Sequence, residues 1–312
     1  MSCLRIVHET TYRYTEPVRF GPHRLMLRPR EGHDLHVEEM ILQISPDYDL
    51  EWSRDVFGNS VATAYFFAPA DLLSIKSTLL LNQTSSFPRR SERPVERTRY
   101  PLEFSPLEEN IVAAYRDSTF PEDAPSVAAW LRGEIDPAAF VEAETLASAV
   151  NQKVRRSIGY RRREEKGVQA PGETLAIGSG SCRDLATLVL ECWRTLGFPA
   201  RFASGYLDCV ASEAGRASTH AWAEVYLPDV GWTGFDPTLG ALTSSQHVVT
   251  GVSNHPRGVM PITGTFYGER ELYEGMEVSV KTRRLEHPVS GSKGVAMMHT
   301  SPFPIGGRIS AA

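Results

Sequence analysis

A glycine-rich turn, Gly178-Ser179-Gly180-Ser181, runs straight into Cys182-Arg183-Asp184 and from there into a stretch of clear helical periodicity. Leu185, Leu188, Val189, Cys192 and Leu196 recur three or four residues apart, the spacing of one buried helix face. Gly197 and Pro199 end the run, as a helix stop should. A fold built on this stretch must bury one side of a helix and leave a thiol at its first turn. Unpaired backbone N–H groups and the positive end of the helix dipole both favour thiolate over thiol there. Taken alone, a cysteine in a Gly/Ser turn reads more readily as a small buried residue. Its partners decide the matter.

The partners come from the next segment with a strong pattern. Thr219 to Leu227 alternates, with His220, Trp222, Glu224 and Tyr226 on one face and Ala221, Ala223, Val225 and Leu227 on the other. The small apolar face is suited to close packing under a helix. Pro228-Asp229-Val230-Gly231 reads as a turn, and Trp232 to Asp236 returns until Pro237 stops it. Such a hairpin brings His220 and Asp236 onto neighbouring strands; they need not be directly opposite, but plausible registers leave them within a few residues of each other. A thiol nucleophile needs a base that later protonates the leaving group, and an imidazole with a pKa of about 6.5 does both. The imidazole in turn needs an acceptor that fixes its tautomer, usually a carboxylate. Cys182, His220 and Asp236 supply these types in that order.

Composition narrows the alternatives. A chain of 312 residues, 41% apolar and 23% charged, fits roughly two soluble domains of ~150 residues each. The net charge of −5 has its signs interspersed, and Arg161-Arg162-Arg163 is followed at once by Glu164-Glu165, so no nucleic-acid surface is expected. The four cysteines, Cys3, Cys182, Cys192 and Cys209, form no disulfide framework and no CxxC zinc pair. His8, His23, His33 and His36 lack metal-ligand spacing and are expected to be solvated or hydrogen-bonded. The start of the chain has no apolar leader and no stretch reads as a membrane span. A reducing cytoplasm, where a free thiol stays usable, is the expected location.

Along the chain, residues 1–83 read as short strands over Leu4–Tyr14, Arg24–Leu27, Val37–Ile44, Leu50–Phe57, Val61–Phe67 and Leu73–Leu81, the pattern of a sandwich or barrel. Residues 84–105 read as a linker, with Phe87 to Pro94 aperiodic. Helices follow: one capped by Ser105-Pro106, a short one over Pro125–Arg132, and a clear one over Val141–Ile158. A loop over Gly159–Gly172 leads to the cysteine turn. Strands return at Phe202–Leu207, Gln246–Gly251 and Met276–Arg283, which places a catalytic core at 106–287. The Gly- and Pro-containing stretch 288–312 reads as a tail.

Five segments, taken together and in order, resemble the core of bacterial transglutaminase-like proteins. They are Gly180-Ser181-Cys182-Arg183-Asp184, Gly197 to Phe202, Ser204-Gly205-Tyr206, His220 to Tyr226, and Gly231 to Thr238. His8 to Tyr14, Leu27-Arg28-Pro29 and Asp55 to Asn59 likewise resemble the β-rich domain that precedes this core in one bacterial branch. The resemblance implies an α+β chain: a β-sandwich-like N-terminal domain, then a papain-like thiol-enzyme core with helices packed on an antiparallel sheet. It implies Cys182 as nucleophile, His220 as base and acid, and Asp236 as orienter.

Two departures shape the remaining expectations. Where many relatives carry Gly-Arg-Asp-Tyr late in the core, this chain has Gly251-Val252-Ser253-Asn254-His255-Pro256, so substrate contacts there should differ. The acidic loops of calcium-dependent animal transglutaminases have no counterpart, and no metal or other cofactor is expected. The backbone N–H of Cys182 is the natural first donor to an oxyanion. Gln169, Tyr160 and the Trp222 N–H are candidates for the second, and Trp222 and Tyr206 read as either cleft walls or core. The expected activity is cleavage of an amide or peptide bond in a peptide or protein through an acyl-cysteine, with water as the default acceptor. Transfer to an amine, or a silent binding module of the same fold, are the rival readings.

Overall fold

The computed structural model describes residues 2–84, 98–163, 167–208 and 219–285. The chain opens with six strands: β1 (Ser2–Phe20), β2 (His23–Leu25), β3 (Leu35–Ser45), β4 (Tyr48–Arg54), β5 (Ser60–Phe66) and β6 (Ala70–Gln83). The period of two seen in the sequence determines their faces. Along β6, Leu73, Ile75, Leu79 and Leu81 are buried, whereas Ser74, Lys76 and Thr78 between them are only partly so. One sheet runs β3–β6–β1 and a second runs β4–β5–β2, and their inner faces share a core containing Leu4, Ile6, Leu25, Leu27, Met40 and Ile75. Each such fully buried aliphatic side chain contributes roughly 1.5–3 kcal/mol.

The second half begins with helices α1 (Pro106–Arg116), α2 (Ala124–Arg132) and α3 (Ala143–Ser157). At the start of α1, the Ser105 hydroxyl and backbone N–H both donate to the Glu108 carboxylate, with Pro106 at the first helical position. Then come β7 (Gly159–Tyr160), α4 (Pro171–Ile177), β8 (Ser179–Gly180) and α5 (Cys182–Thr195). Five antiparallel strands complete the core: β9 (Ala200–Leu207), β10 (Thr219–Leu227), β11 (Gly231–Asp236), β12 (Ala241–Leu242) and β13 (His247–Ser253), in the order β12–β11–β10–β9–β13. The apolar face of α5 packs on Ala221, Ala223, Val225 and Leu227 of β10, as their alternation predicts. Leu146, Val150 and Val154 of α3 and Val127 and Leu131 of α2 close the same core.

Two features depart from the sequence-based expectation. Helix α4 falls where only a loop into the cysteine turn is expected. Seven residues are too few for a periodic signal, although Pro171 at its first position and Gly178 in the left-handed region (φ 71°) at its end mark it. The placement of 106–287 in the core is also corrected. Strands β14 (Ile262–Thr263), β15 (Phe266–Tyr267) and β16 (Tyr273–Leu285) pair with β2 and β1, and so belong to the sandwich. The reason is an open edge: β6 covers one side of β1, and β16 supplies hydrogen-bond partners to the other from Cys3 to Tyr14. Phe87 to Pro94 and the stretch 288–312 lie outside the described residues. The last linker residues are docked on the core, where Tyr100 stacks on Phe198 and its hydroxyl donates to the Leu196 carbonyl at 3.0 Å. No described helix is long and apolar enough to cross a membrane.

The sandwich meets the core along β9 and β13. Gln83 donates to the Ser245 carbonyl at 2.8 Å, and the Arg30 backbone N–H to the Val249 carbonyl at 2.8 Å. The Asn59 amide closes a two-bond ring with the backbone of Val252, at 2.8 and 2.9 Å. The segment Gly251 to Pro256, where a difference in substrate contacts is expected, is therefore gripped partly by the sandwich. Its Asn254 carbonyl also accepts from Arg194 at 2.7 Å.

Candidate active site

Cys182 is the first residue of α5, and the turn before it is fixed from several sides. The Asp184 carboxylate is fully buried and accepts from the Ser181 backbone N–H and hydroxyl, both at 2.8 Å. It also accepts from the Gln169 backbone N–H at 2.7 Å and from Arg163 at 3.0 and 3.1 Å. One carboxylate thus ties the helix start to the loop that precedes α4. Gly180 leaves no room for a side chain, since a Cβ there would lie 2.7 Å from the Asp184 Cβ and 2.8 Å from the Gln169 Oε1. Strand β7 runs parallel to β8 beside this turn and places Tyr160 next to Gly180.

The thiol of Cys182 and the imidazole of His220, at the start of β10, interact closely enough that each shifts the other's protonation. The Nε2 of His220 donates to the Asp236 Oδ2 at 2.7 Å, which leaves Nδ1 as the nitrogen that meets the thiol. Asp236, fully buried at the end of β11, accepts through Oδ1 from the backbone N–H groups of Thr238 and Leu239 at 2.8 and 3.3 Å. A second histidine completes the set. His247, first residue of β13, places its Nε2 3.1 Å from the same Asp236 Oδ2. Its Nδ1 accepts the Ser244 backbone N–H at 3.0 Å, so the ring proton sits on Nε2 and is donated to Asp236.

The electrostatics follow from this chain of bonds. Burial alone would push the Cys182 thiol up, but the hydrogen bond to His220, the imidazolium charge and the charge of Arg183 outweigh it and bring the thiol below its ordinary value. Burial would lower His220, yet its bonds to Asp236 and Cys182 and their negative charges push it up to about 10. Burial would likewise raise Asp236, and the hydrogen bonds from His220 and His247 hold it well below the usual carboxylate range. The two directions together favour a thiolate–imidazolium pair near neutral pH, titrating as a unit. Tyr160 senses it: burial and then the Cys182 charge raise its phenol.

Residues 111–237 match the family model for the transglutaminase-like superfamily, and residues 4–82 match that of the bacterial transglutaminase-like N-terminal region. The chain belongs to the transglutaminase-like superfamily. It is 27% identical over 294 residues to the uncharacterized protein Rv2569c of Mycobacterium tuberculosis, covering 86% of this chain and 88% of that one. It is 23% identical over 303 residues to ML0607 of Mycobacterium leprae, covering 90% and 99%. Its fold is that of a candidate cysteine protease from Cytophaga hutchinsonii, with a TM-score of 0.65, 15% identity and 90% of each chain covered.

Within this transglutaminase-like core, the other expected site residues divide. Gln169 is buried beside the cysteine turn, its Oε1 accepting from Thr174 at 3.3 Å. Trp222 is only 1% exposed and stands behind the histidines, its ring centroid 6.2 Å from that of His220 and 5.1 Å from that of His247. Its indole N–H points to Glu224 at 3.4 Å. Tyr206 is not a cleft wall. It is buried against the sandwich core, and its hydroxyl meets the His8 Nδ1 at 3.0 Å, because β9 turns that face toward β1. His8 and His23 are both buried and hydrogen-bonded, as expected of histidines without a chemical role.

His220, Asp236 and His247 place their ligand-type atoms within 4.8 Å of one another. The donor set does not fit a metal. A cation at the His247 Nε2 would need the proton on Nδ1, where the Ser244 N–H already points. Nothing in the sequence marks His247, which lies ahead of two valines with no other signal.

Proposed function

We propose that the protein is a cysteine-dependent enzyme that cleaves an amide or peptide bond through an acyl-thioester on Cys182. The observation that supports this reading best is the 2.7 Å bond from His220 to the buried Asp236 carboxylate, with His220 coupled to the Cys182 thiol at the first turn of a buried helix. In the first step the thiolate attacks the carbonyl carbon, and His220 gives its proton to the departing amine as the C–N bond breaks. The Cys182 backbone N–H, at a helix start where such groups lack intrahelical partners, is the proposed first donor to the oxyanion. In the second step His220 takes a proton from water, the resulting hydroxide attacks the thioester, and a carboxylic acid leaves while the thiol returns. Asp236 keeps the imidazole in one tautomer throughout. The substrate is a peptide or protein, and a reducing compartment keeps the thiol free.

The test is acyl-enzyme trapping on Cys182 by mass spectrometry, with peptide mixtures in the presence and absence of an added primary amine. The expected result is a Cys182 adduct that releases acid whether or not amine is present. An amide product that grows with amine concentration would make the protein a transamidase. No adduct under any condition would favour a silent member of the fold.

A further inference from the structure

The Asp236 Oδ2 receives two imidazole N–H groups, and only one of them belongs to the residue that meets the thiol. The second, from His247, is not a loose surface contact. His247 has a side chain 3% exposed, its Nδ1 is pinned by the Ser244 N–H, and its ring lies 5.1 Å edge-on to Trp222, which backs His220. The strand it begins is held by the sandwich at Val249 and Val252, and the segment just before it at Ser245.

We infer that His247 is a positioning residue of the thiol site, holding the Asp236 carboxylate and taking up part of its charge, and that the sandwich serves the site by fixing the strand that carries it. This rests on the thiol-enzyme reading of Cys182 and His220. A carboxylate oxygen that shares its charge between two donors attracts the His220 proton less than one with a single donor. His247 therefore keeps His220 acidic enough to release its proton to the leaving amine, while the backbone bonds to Oδ1 prevent the carboxylate from rotating away. Among the described residues, Cys182 and Arg183 from α5 and Tyr160 from β7 are coupled to the network, Glu224 of β10 accepts from Trp222 behind it, and the Asp208 backbone N–H donates to the Gln246 carbonyl beside His247. Asp208 is paired with Arg284 of β16 at 2.6 Å.

The role can be read without substrate. In the full chain carrying Cys182→Ala, His220 titrates free of the thiol, and its midpoint can be followed by imidazole 15N NMR. Adding His247→Leu is expected to raise that midpoint by about half a unit to one unit, the scale of one lost charge-assisted hydrogen bond. Adding His247→Gln, whose amide nitrogen can reach the same oxygen, should bring it back to within about 0.2 unit of the parent. An unchanged or lowered midpoint in His247→Leu, or equal midpoints in the two variants, would overturn the inference. Should His247→Leu fail to fold, the single Cys182→Ala protein still decides: His247 must show a protonated Nε2 and an unprotonated Nδ1, and the opposite tautomer defeats the proposed network. If peptides never acylate Cys182, the functional reading fails while these titrations still settle what His247 does.

Discussion

Helix α5 carries two cysteines in opposite chemical settings. Cys182 stands at the first turn, half-buried, with an imidazole on one side and the charge of Arg183 nearby. Cys192, further along the same helix, is fully buried in the core shared with α3 and the sheet. Burial, and then the neighbouring Glu191 charge, push its thiol far above the ordinary range. The same side chain on the same helix is thus prepared for reaction at one end and made inert in the middle. Burial opposes ionisation in both settings, and the difference lies in what opposes burial. At Cys182 a cation supplied by a distant strand reverses the sign. At Cys192 only the weak opposing influence of Lys153 does so, and it does not suffice.

The contrast can be broken most directly at its reactive end. Cys182→Ala should abolish acyl transfer, lowering kcat/KM by at least about 10,000-fold, because the other described thiols, Cys3 and Cys192, are buried. Peptide cleavage that survived this change would remove Cys182 from the chemistry. Next, His220→Ala should slow iodoacetamide labelling of Cys182 at pH 6 by roughly 100-fold, since an ordinary thiol is then almost wholly protonated. Equal labelling with and without His220 would show that the helix start alone activates the thiol. A pH series sharpens the same point. His220 is pushed up to about 10, so the imidazolium persists until pH rises through that value, and the alkaline limb of kcat/KM should fall well above the 6.5 of a free imidazole. A limb close to 6.5 would mean that Asp236 does not hold the ring. The smallest effect belongs to Cys192→Ala, which should leave kcat/KM within about two-fold and cost roughly 1 kcal/mol of stability, measured by urea unfolding. Cys209 lies outside the described residues, and Cys209→Ala is expected to leave activity largely intact.

Much of this contrast could be read from the sequence, because it rests on local periods. A 3.6-residue pattern places Cys182 at a helix start and Cys192 on its buried face, and a period of two puts His220 opposite the small residues that pack under α5. The hairpin then supplies Asp236. What could not be read depends on strand order. His247 follows Asp236 closely in the chain, yet β13 and β11 are separated by β10 and β9. Only the crossing of the intervening segment over the end of the sheet brings His247 back to the carboxylate. Tyr206 reads as either cleft wall or core, and the choice falls to core because the sandwich covers it, which nothing in Ser204-Gly205-Tyr206 indicates. Helix α4 carries no periodic signal because it spans barely two turns.

The return of β16 to β1 has a consequence for how the chain is made. During synthesis β1 and β6 emerge ahead of the core that carries the thiol site, so the other edge of β1 lacks its partner until residues 273–285 follow that core out of the ribosome. The thiol site is thus assembled as an insertion within an unfinished sandwich. A chain stopped before β16 would carry a complete set of site residues beside a long unpaired strand edge, a template for pairing with other copies. The last described strand therefore seals the first, and only a chain translated through it gains a protected edge.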